Sequence, residues 1–395
     1  MDNILIIFIA SVVAFCSTWW VFPMILKLAK VKNIVDNPDA RKLQQSAVPV
    51  LGGLAVYFGL MVGLLCGCCM STGYVGLLPL VCAISIMLFL GMLDDTIGLT
   101  PFSRLIAEAL IITGLIFSTG TCVDHFHGLC GVMEFSWYIG VPLTVFAGVG
   151  IINAFNMIDG VNGLSSCLCI TISILMGTFF FKRGAYMDAI IAFCFASALI
   201  PFTLHNIFGN RSRMYIGDAG TMVMGLLVSW CVMKTMSTIG AVNAVHIDGT
   251  PEVMCLPAML LAIASVPVMD TLRVMGSRIF HGRSPFLPDR THLHHKFIAA
   301  GISHSITTVS MVTIDLIVVG IWYILYKVGL SLELQLLLTI LAAVIFVWGA
   351  YFTLLIFEKN DGRMMQRIRR FGLLTHMGHT PWWLKFQAFL DKAAD

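Results

Sequence analysis

Charge is scarce in this chain. Asp, Glu, Lys and Arg make up 11% of its 395 residues, against 58% hydrophobic residues and a mean hydropathy of +0.91. That balance excludes an ordinary soluble globular protein. The net charge of +3 is too small to point to a nucleic-acid partner, and none is expected. No HExxH helix, no repeat of fixed period and no stretch resembling a soluble domain occurs. Cysteine is not scarce, at twelve residues, but Cys16, Cys66, Cys82, Cys167, Cys169, Cys194 and Cys231 fall inside apolar runs, where thiols behave as small hydrophobes. The first apolar run, Ile4 to about Leu26, passes through Trp19, Trp20 and Pro23 without a small-residue cleavage site, so it reads as a retained span and not a removed leader.

Long apolar runs are what the chain does have. A span needs about 20 apolar residues, and such runs lie near 4 to 26, 51 to 70, 75 to 93, 104 to 120, 137 to 152, 164 to 181, 187 to 205, 216 to 236, 254 to 275, 306 to 326 and 332 to 357. The expected fold class is all-α, a polytopic integral membrane protein with about eleven transmembrane helices. Its expected division is a membrane catalytic domain over 1–357 and a basic tail over 358–395. The seventh run carries Pro201 and is the least regular candidate.

Basic residues orient the spans. With the N-terminus outside, the inner side receives Lys27, Lys30, Lys32, Arg41, Lys42, Arg104, Arg211, Arg213, Arg273, Arg278, Arg283, Arg290, Lys296 and the basic tail. Only Lys182, Arg183, Lys234 and Lys327 remain outside. The N-terminus is therefore expected to be periplasmic and the C-terminus cytoplasmic. In that orientation every polar motif falls on the inner face.

Five constellations carry chemistry. Gly91-Met92-Leu93-Asp94-Asp95 ends an apolar helix with two adjacent carboxylates, whose repulsion a divalent cation relieves; a solvated helix end is the plainer reading. Asn153-Ala-Phe-Asn156-Met-Ile-Asp159-Gly160-Val-Asn162-Gly163-Leu164 sets amides and a carboxylate at three- and four-residue spacing among glycines, which leaves backbone N–H groups open to a uracil edge or a diphosphate. A helix cap explains any one of these residues but not all four polar ones. Tyr215-Ile216-Gly217-Asp218-Ala219-Gly220 flanks a carboxylate with glycines at a span start, suiting a metal or phosphate, or a simple N-cap. The loop Gly282 to Lys296 holds Arg283, Arg290, His292, His294 and His295. No thiolate or HExxH accompanies these imidazoles, so the cations favour phosphate recognition over zinc. Lastly, Arg41 and Lys42 precede Pro49-Val-Leu-Gly52-Gly53, and either hold phosphate or serve orientation alone.

Read in order, these motifs resemble the polyprenyl-phosphate HexNAc-1-phosphate transferase family, over about Asp36 to Lys296. The pattern is similar to the WecA type; the MraY type has three adjacent histidines where this chain has His292-Leu293-His294-His295. The resemblance implies transfer of GlcNAc-1-phosphate, or a related HexNAc-1-phosphate, from a UDP-sugar to undecaprenyl phosphate in a bacterial inner membrane, with release of UMP. It implies Mg2+, with Mn2+ able to substitute, on Asp218. Asp94, Asp95 and Asp159 would be catalytic and Arg41 and Lys42 would hold the lipid phosphate. Asn156, Gly160, Asn162, Arg283, Arg290, His292, His294 and His295 would hold the nucleotide-sugar. Asn162 stands where several relatives have Asp, and Asn206 and Asn210 stay open as further nucleotide contacts. A homodimer stays open as well. The rival reading is a transporter or flippase for a lipid-linked or anionic solute; against it stand the absence of an inverted repeat and an expected absence of charge at mid-membrane. Cys122 and Cys130 bracket an outer loop and are expected to pair if that side is oxidising.

Overall fold

A computed structural model describes residues 2–36, 47–71, 76–238, 254–285, 291–360, 362–376, 378 and 380–394. The chain is an all-α polytopic membrane protein. Its first eight helices are α1 (Asn3–Val31), α2 (Gly52–Met70), α3 (Leu77–Ile97), α4 (Pro101–Thr119), α5 (Trp137–Ile158), α6 (Leu164–Lys182), α7 (Tyr186–Phe208) and α8 (Gly217–Thr235). A short antiparallel pair, β1 (Val35–Asp36) and β2 (Val48–Pro49), joins α1 to α2. After residue 254 come α9 (Leu256–Ile263), α10 (Ser265–Phe280), α11 (Leu293–Ala299), α12 (His304–Lys327), α13 (Leu332–Asn360), α14 (Arg363–Leu374) and α15 (Pro381–Asp391). α7 runs unbroken through Pro201, so the least regular of the expected spans is a continuous helix.

Among the described residues, nine helices are long and apolar enough to cross a membrane, and α9 with α10 makes ten if that bent pair is one span. The remaining expected span is α8. Asp218 and Lys234 stand near its ends, and it packs against α2, α3, α5 and α6, so protein encloses it. Small residues permit that central position. Gly91 of α3 lies against Ala219, Gly53 of α2 against Gly220, and Gly225 against the Ile152 backbone, with no room for a β-carbon at any of the three glycines.

The ninth expected span needs correction. It is broken at Ala264, where α9 and α10 meet at 80°. Pro267 accounts for the break: it has no N–H to donate and its ring collides with the carbonyl four residues back, that of Ile263. The freed donors at the start of α10 are taken by Asp315, whose Oδ1 accepts from Ser265 Oγ at 2.9 Å and from Val266 N at 3.1 Å. Asp315 is fully buried midway along α12, so the expected absence of charge at mid-membrane is also overturned. Its physical role is to cap a helix that begins inside the bundle.

Candidate active site

The site is assembled by backbone pairing as much as by side chains. Gly52 N and Gly53 N donate to the carbonyls of Tyr215 and Ile216 at 2.9 and 2.8 Å, and Tyr215 N donates to Pro49 O at 2.8 Å. The Pro49–Gly53 motif thus fastens the loop that delivers Asp218 to the first turn of α8. Asp95 fastens it from the other side: its carboxylate accepts from Asp218 N at 2.8 Å and from Ala219 N at 3.2 Å, an N-cap supplied by a different helix.

Asp94 and Asp218 adjoin within side-chain hydrogen-bonding reach. A divalent cation between two carboxylates so close would relieve their mutual repulsion. Asp218 Oδ1 also accepts from Asn156 Nδ2 at 2.7 Å, and Asn156 reaches Thr221 Oγ1 at 3.1 Å. Asp94 accepts from Leu99 N at 2.7 Å and pairs with Arg104 at 3.1 Å. Arg104 continues to Asn153 Oδ1 at 3.2 Å, and Asn153 donates to the buried Glu108 at 2.6 Å. Sequence reading used Arg104 only for orientation and passed over Glu108; their i, i+4 spacing at the inner end of α4, beside the acidic pair, was the available signal.

A cavity of about 1070 Å³ opens beside this cluster, and its wall includes Asp95, Asn156, Asp159, Gly160, Asn162, Asp218 and His295. Asp159 faces the open space of the cavity yet sits deep enough that burial pushes its carboxyl up to about 6; the Ser165 hydroxyl, donating at 2.6 Å, pulls the other way, and the charge of Asp218 adds to the rise. Asn206 supports the loop from behind, accepting from Gly163 N at 2.7 Å and donating to Met214 O at 2.8 Å, and it lines the cavity too. Asn210 engages through its backbone N–H, with Asp391 at 3.1 Å.

The histidine loop divides in two. His295 reaches the cavity, whereas His292 and His294 are buried behind it. His292 Nδ1 pairs with Asp270 at 2.9 Å, and Asp270 also accepts from Arg273 at 2.6 Å and from Leu293 N at 3.1 Å. Arg273 lies flat on Tyr351, 3.5 Å from the ring centre. The His294 ring packs against Gly160, occupying the space a β-carbon there would need. Burial, and secondarily His295 and His292, hold His294 well below the usual histidine range, so it is neutral at pH 7. Asp270, His292 and His294 offer ligand atoms within 4.8 Å of one another, spacing that a metal could use. The Arg273 guanidinium already paired with Asp270 argues instead for a hydrogen-bonded brace. Sequence reading missed Asp270 because it stands 22 residues from His292, its partner across α10.

Arg283 is exposed and is not among the cavity-lining residues. Arg41, Lys42 and Arg290 lie outside the described residues. Cys122 and Cys130 are free, contrary to the expected pairing. Cys122 is buried, where burial and then Asp124 push its thiol up to about 12; Cys130 is on the surface in left-handed backbone, with its N–H donating to Glu333 at 3.1 Å.

A family model described as glycosyl transferase family 4 matches residues 77–236, the stretch from α3 through α8. The undecaprenyl-phosphate alpha-N-acetylglucosaminyl 1-phosphate transferase of Escherichia coli strain K12 is 31% identical over 291 residues, covering 70% of this chain and 72% of its own. The Salmonella typhi protein of the same name is 31% identical over 289 residues with the same coverage. The probable undecaprenyl-phosphate N-acetylglucosaminyl 1-phosphate transferase of Bacillus subtilis is 26% identical over 319 residues, 80% of this chain and 84% of its own. With motifs, helical architecture and these likenesses in agreement, the chain belongs to the polyprenyl-phosphate HexNAc-1-phosphate transferases of the WecA type, within glycosyl transferase family 4.

Proposed function

We propose that this protein transfers GlcNAc-1-phosphate from UDP-GlcNAc to undecaprenyl phosphate, releasing UMP, as the first membrane step of a surface polysaccharide such as an O-antigen or common antigen. The observation that carries the reading is the meeting of Asp94, Asp95, Asn156, Asp159 and Asp218, from three distant segments, at one end of the bundle beside a cavity large enough for a nucleotide-sugar. The protein is placed in a bacterial inner membrane with this end cytoplasmic, the catalytic membrane part over 1–357 and the basic tail over 358–395 on the same side.

The adjoining Asp94 and Asp218 carboxylates, with an amide oxygen available on Asn156, form the hard oxygen set that Mg2+ prefers, with Mn2+ able to substitute. Bound there, the ion would supply charge neutralisation for the diphosphate. Asp218 and Asp94 would hold it, while Asp95 keeps the first turn of α8 in place. On this reading Gly160, Asn162 and Asn206 would hold the nucleoside and His295 the sugar diphosphate, with His292 and His294 bracing the wall behind. The second pKa of a phosphate monoester is about 6, so the lipid phosphate is already largely dianionic at pH 7 and needs little help from a base. Its oxygen attacks the sugar-bearing phosphorus in line, that P–O bond to UMP breaks, and no covalent enzyme intermediate is required.

Purified protein should release UMP from UDP-GlcNAc only when undecaprenyl phosphate and Mg2+ are both present. A transporter would release none, and that result would overturn the reading. Asp218→Asn should fold yet lose turnover by more than about 100-fold, because the amide gives up the charge that holds the ion.

A further inference from the structure

The segment after Asn360, which read from sequence only as basic residues for orientation, folds back over the cavity. Two sets of contacts pin it. Near α14, Gly372 lies so tightly on Gly301 that no β-carbon fits, and Ser303 Oγ donates to Thr375 O at 3.1 Å. At α15, the rings of Trp383 and Phe386 sit 4.5 and 5.2 Å from Phe208, and the Asp391 carboxylate accepts from Ser212 N and Ser212 Oγ at 2.9 and 2.8 Å. The second anchor holds the loop that leads through Tyr215 to Asp218; the first lies beside His304, which accepts from Asn162 N at 3.4 Å. The segment therefore bridges both sides of the site. Thr375, His376, Gly378 and Trp383 of this segment line the same cavity as Asp159 and Asp218.

The cavity has two chemically distinct regions. Carboxylates crowd the region at Asp95, Asp159 and Asp218. Among the described lining residues, the C-terminal wall brings an indole and an imidazole but no acid, and Asn162, Gly163 and Asn206 line the same cavity. A flat ring with a polar edge is the ligand such a wall suits, since indole offers a stacking face and imidazole a hydrogen-bonding edge.

We propose that the C-terminal segment is part of the donor site, with Trp383 stacking on the base of the UDP-sugar and His376 hydrogen-bonding the same nucleoside half. This rests on the proposed transferase reading and extends it to residues beyond the span of the family match.

The test measures KM for UDP-GlcNAc, the inhibition constant of UMP, and KM for undecaprenyl phosphate in detergent-purified full-length protein. Trp383→Ala removes the stacking face, so it should raise both the donor KM and the UMP constant about tenfold, leave the lipid KM near wild type, and be partly rescued in Trp383→Phe. His376→Ala should move the same two constants in the same direction. Trp382→Ala is the control: it removes a ring from the Phe208 cluster that does not line the cavity, and it should leave the UMP constant unchanged. The inference is overturned if Trp383→Ala and His376→Ala turn over with an unchanged UMP constant, if only the donor KM moves, or if Trp382→Ala produces the same shift. Absence of UMP release by the wild-type protein would count against the transferase reading instead.

Discussion

Gly160 and His294 show how little freedom single residues have in this site. The imidazole fills the space that a side chain at 160 would occupy, and overpacking of this kind costs about 1–3 kcal/mol. Gly160→Ala is expected to displace the His294 ring and cut turnover at least tenfold while the protein still melts cooperatively; wild-type kinetics would show that the contact is not tight. Asp159 makes a second residue-scale case. Burial first, and the charge of Asp218 after it, raise its pKa from 3.8 to about 6, so between those values the folded state holds a proton that the unfolded state has released. Stability therefore falls as pH rises through that window. In metal-free detergent solution, Asp159→Asn should gain melting temperature relative to wild type as pH goes from about 4 to about 6, with a constant gap above. A gap that does not change with pH would refute the raised pKa.

At the scale of elements, the break between α9 and α10 depends on a partner from another helix. Pro267 opens the backbone, and Asp315 of α12 closes it by accepting from Ser265 and Val266. Asp315→Ala removes that cap and should destabilise the protein by about 1–2 kcal/mol, read as a lower thermal midpoint in detergent. Asp315→Asn keeps an acceptor and should sit much closer to wild type; equal loss in both variants would mean that charge, not capping, is what the helix needs. α8 is an element whose place was not evident from its composition. It is the least lipid-like of the expected spans because α2, α3, α5 and α6 surround it, and that enclosure keeps Asp218 at a fixed depth between Asp94 and Asn156.

For the whole molecule, the proposed orientation makes a labelling prediction. Cys130 is exposed in the loop before α5, on the side opposite the carboxylate cluster in the proposed topology. A membrane-impermeant maleimide should modify Cys130 in intact spheroplasts, identified by peptide mapping, whereas a cysteine introduced as Lys385→Cys on α15 should react only after permeabilisation. Labelling of the α15 site from outside would reverse the topology and remove the cavity from the compartment that holds UDP-sugars.

Much of this protein was legible along the chain because a membrane imposes a local requirement. Each span must be apolar over about 20 residues by itself, and the motifs around Asp94, Asp159 and Asp218 sit at helix ends where apolar runs stop. Composition therefore determined the all-α membrane class and most of the helical stretches, though not the break at Ala264, and motif order marked the acidic residues proposed for the site. Tertiary structure alone decided what depends on pairing between distant segments. Asp95 caps α8, 123 residues away, Asp270 braces His292 from another helix, and Asp315 appears in sequence as one charge inside an apolar run. The tail gave only its positive charge away, since its placement rests on aromatic contacts with Phe208 and on Asp391 meeting Ser212 across 179 residues. Hydropathy acts on neighbours in sequence, whereas hydrogen bonds and ring contacts act on neighbours in space; only the second kind could bring the C-terminal wall to the cavity.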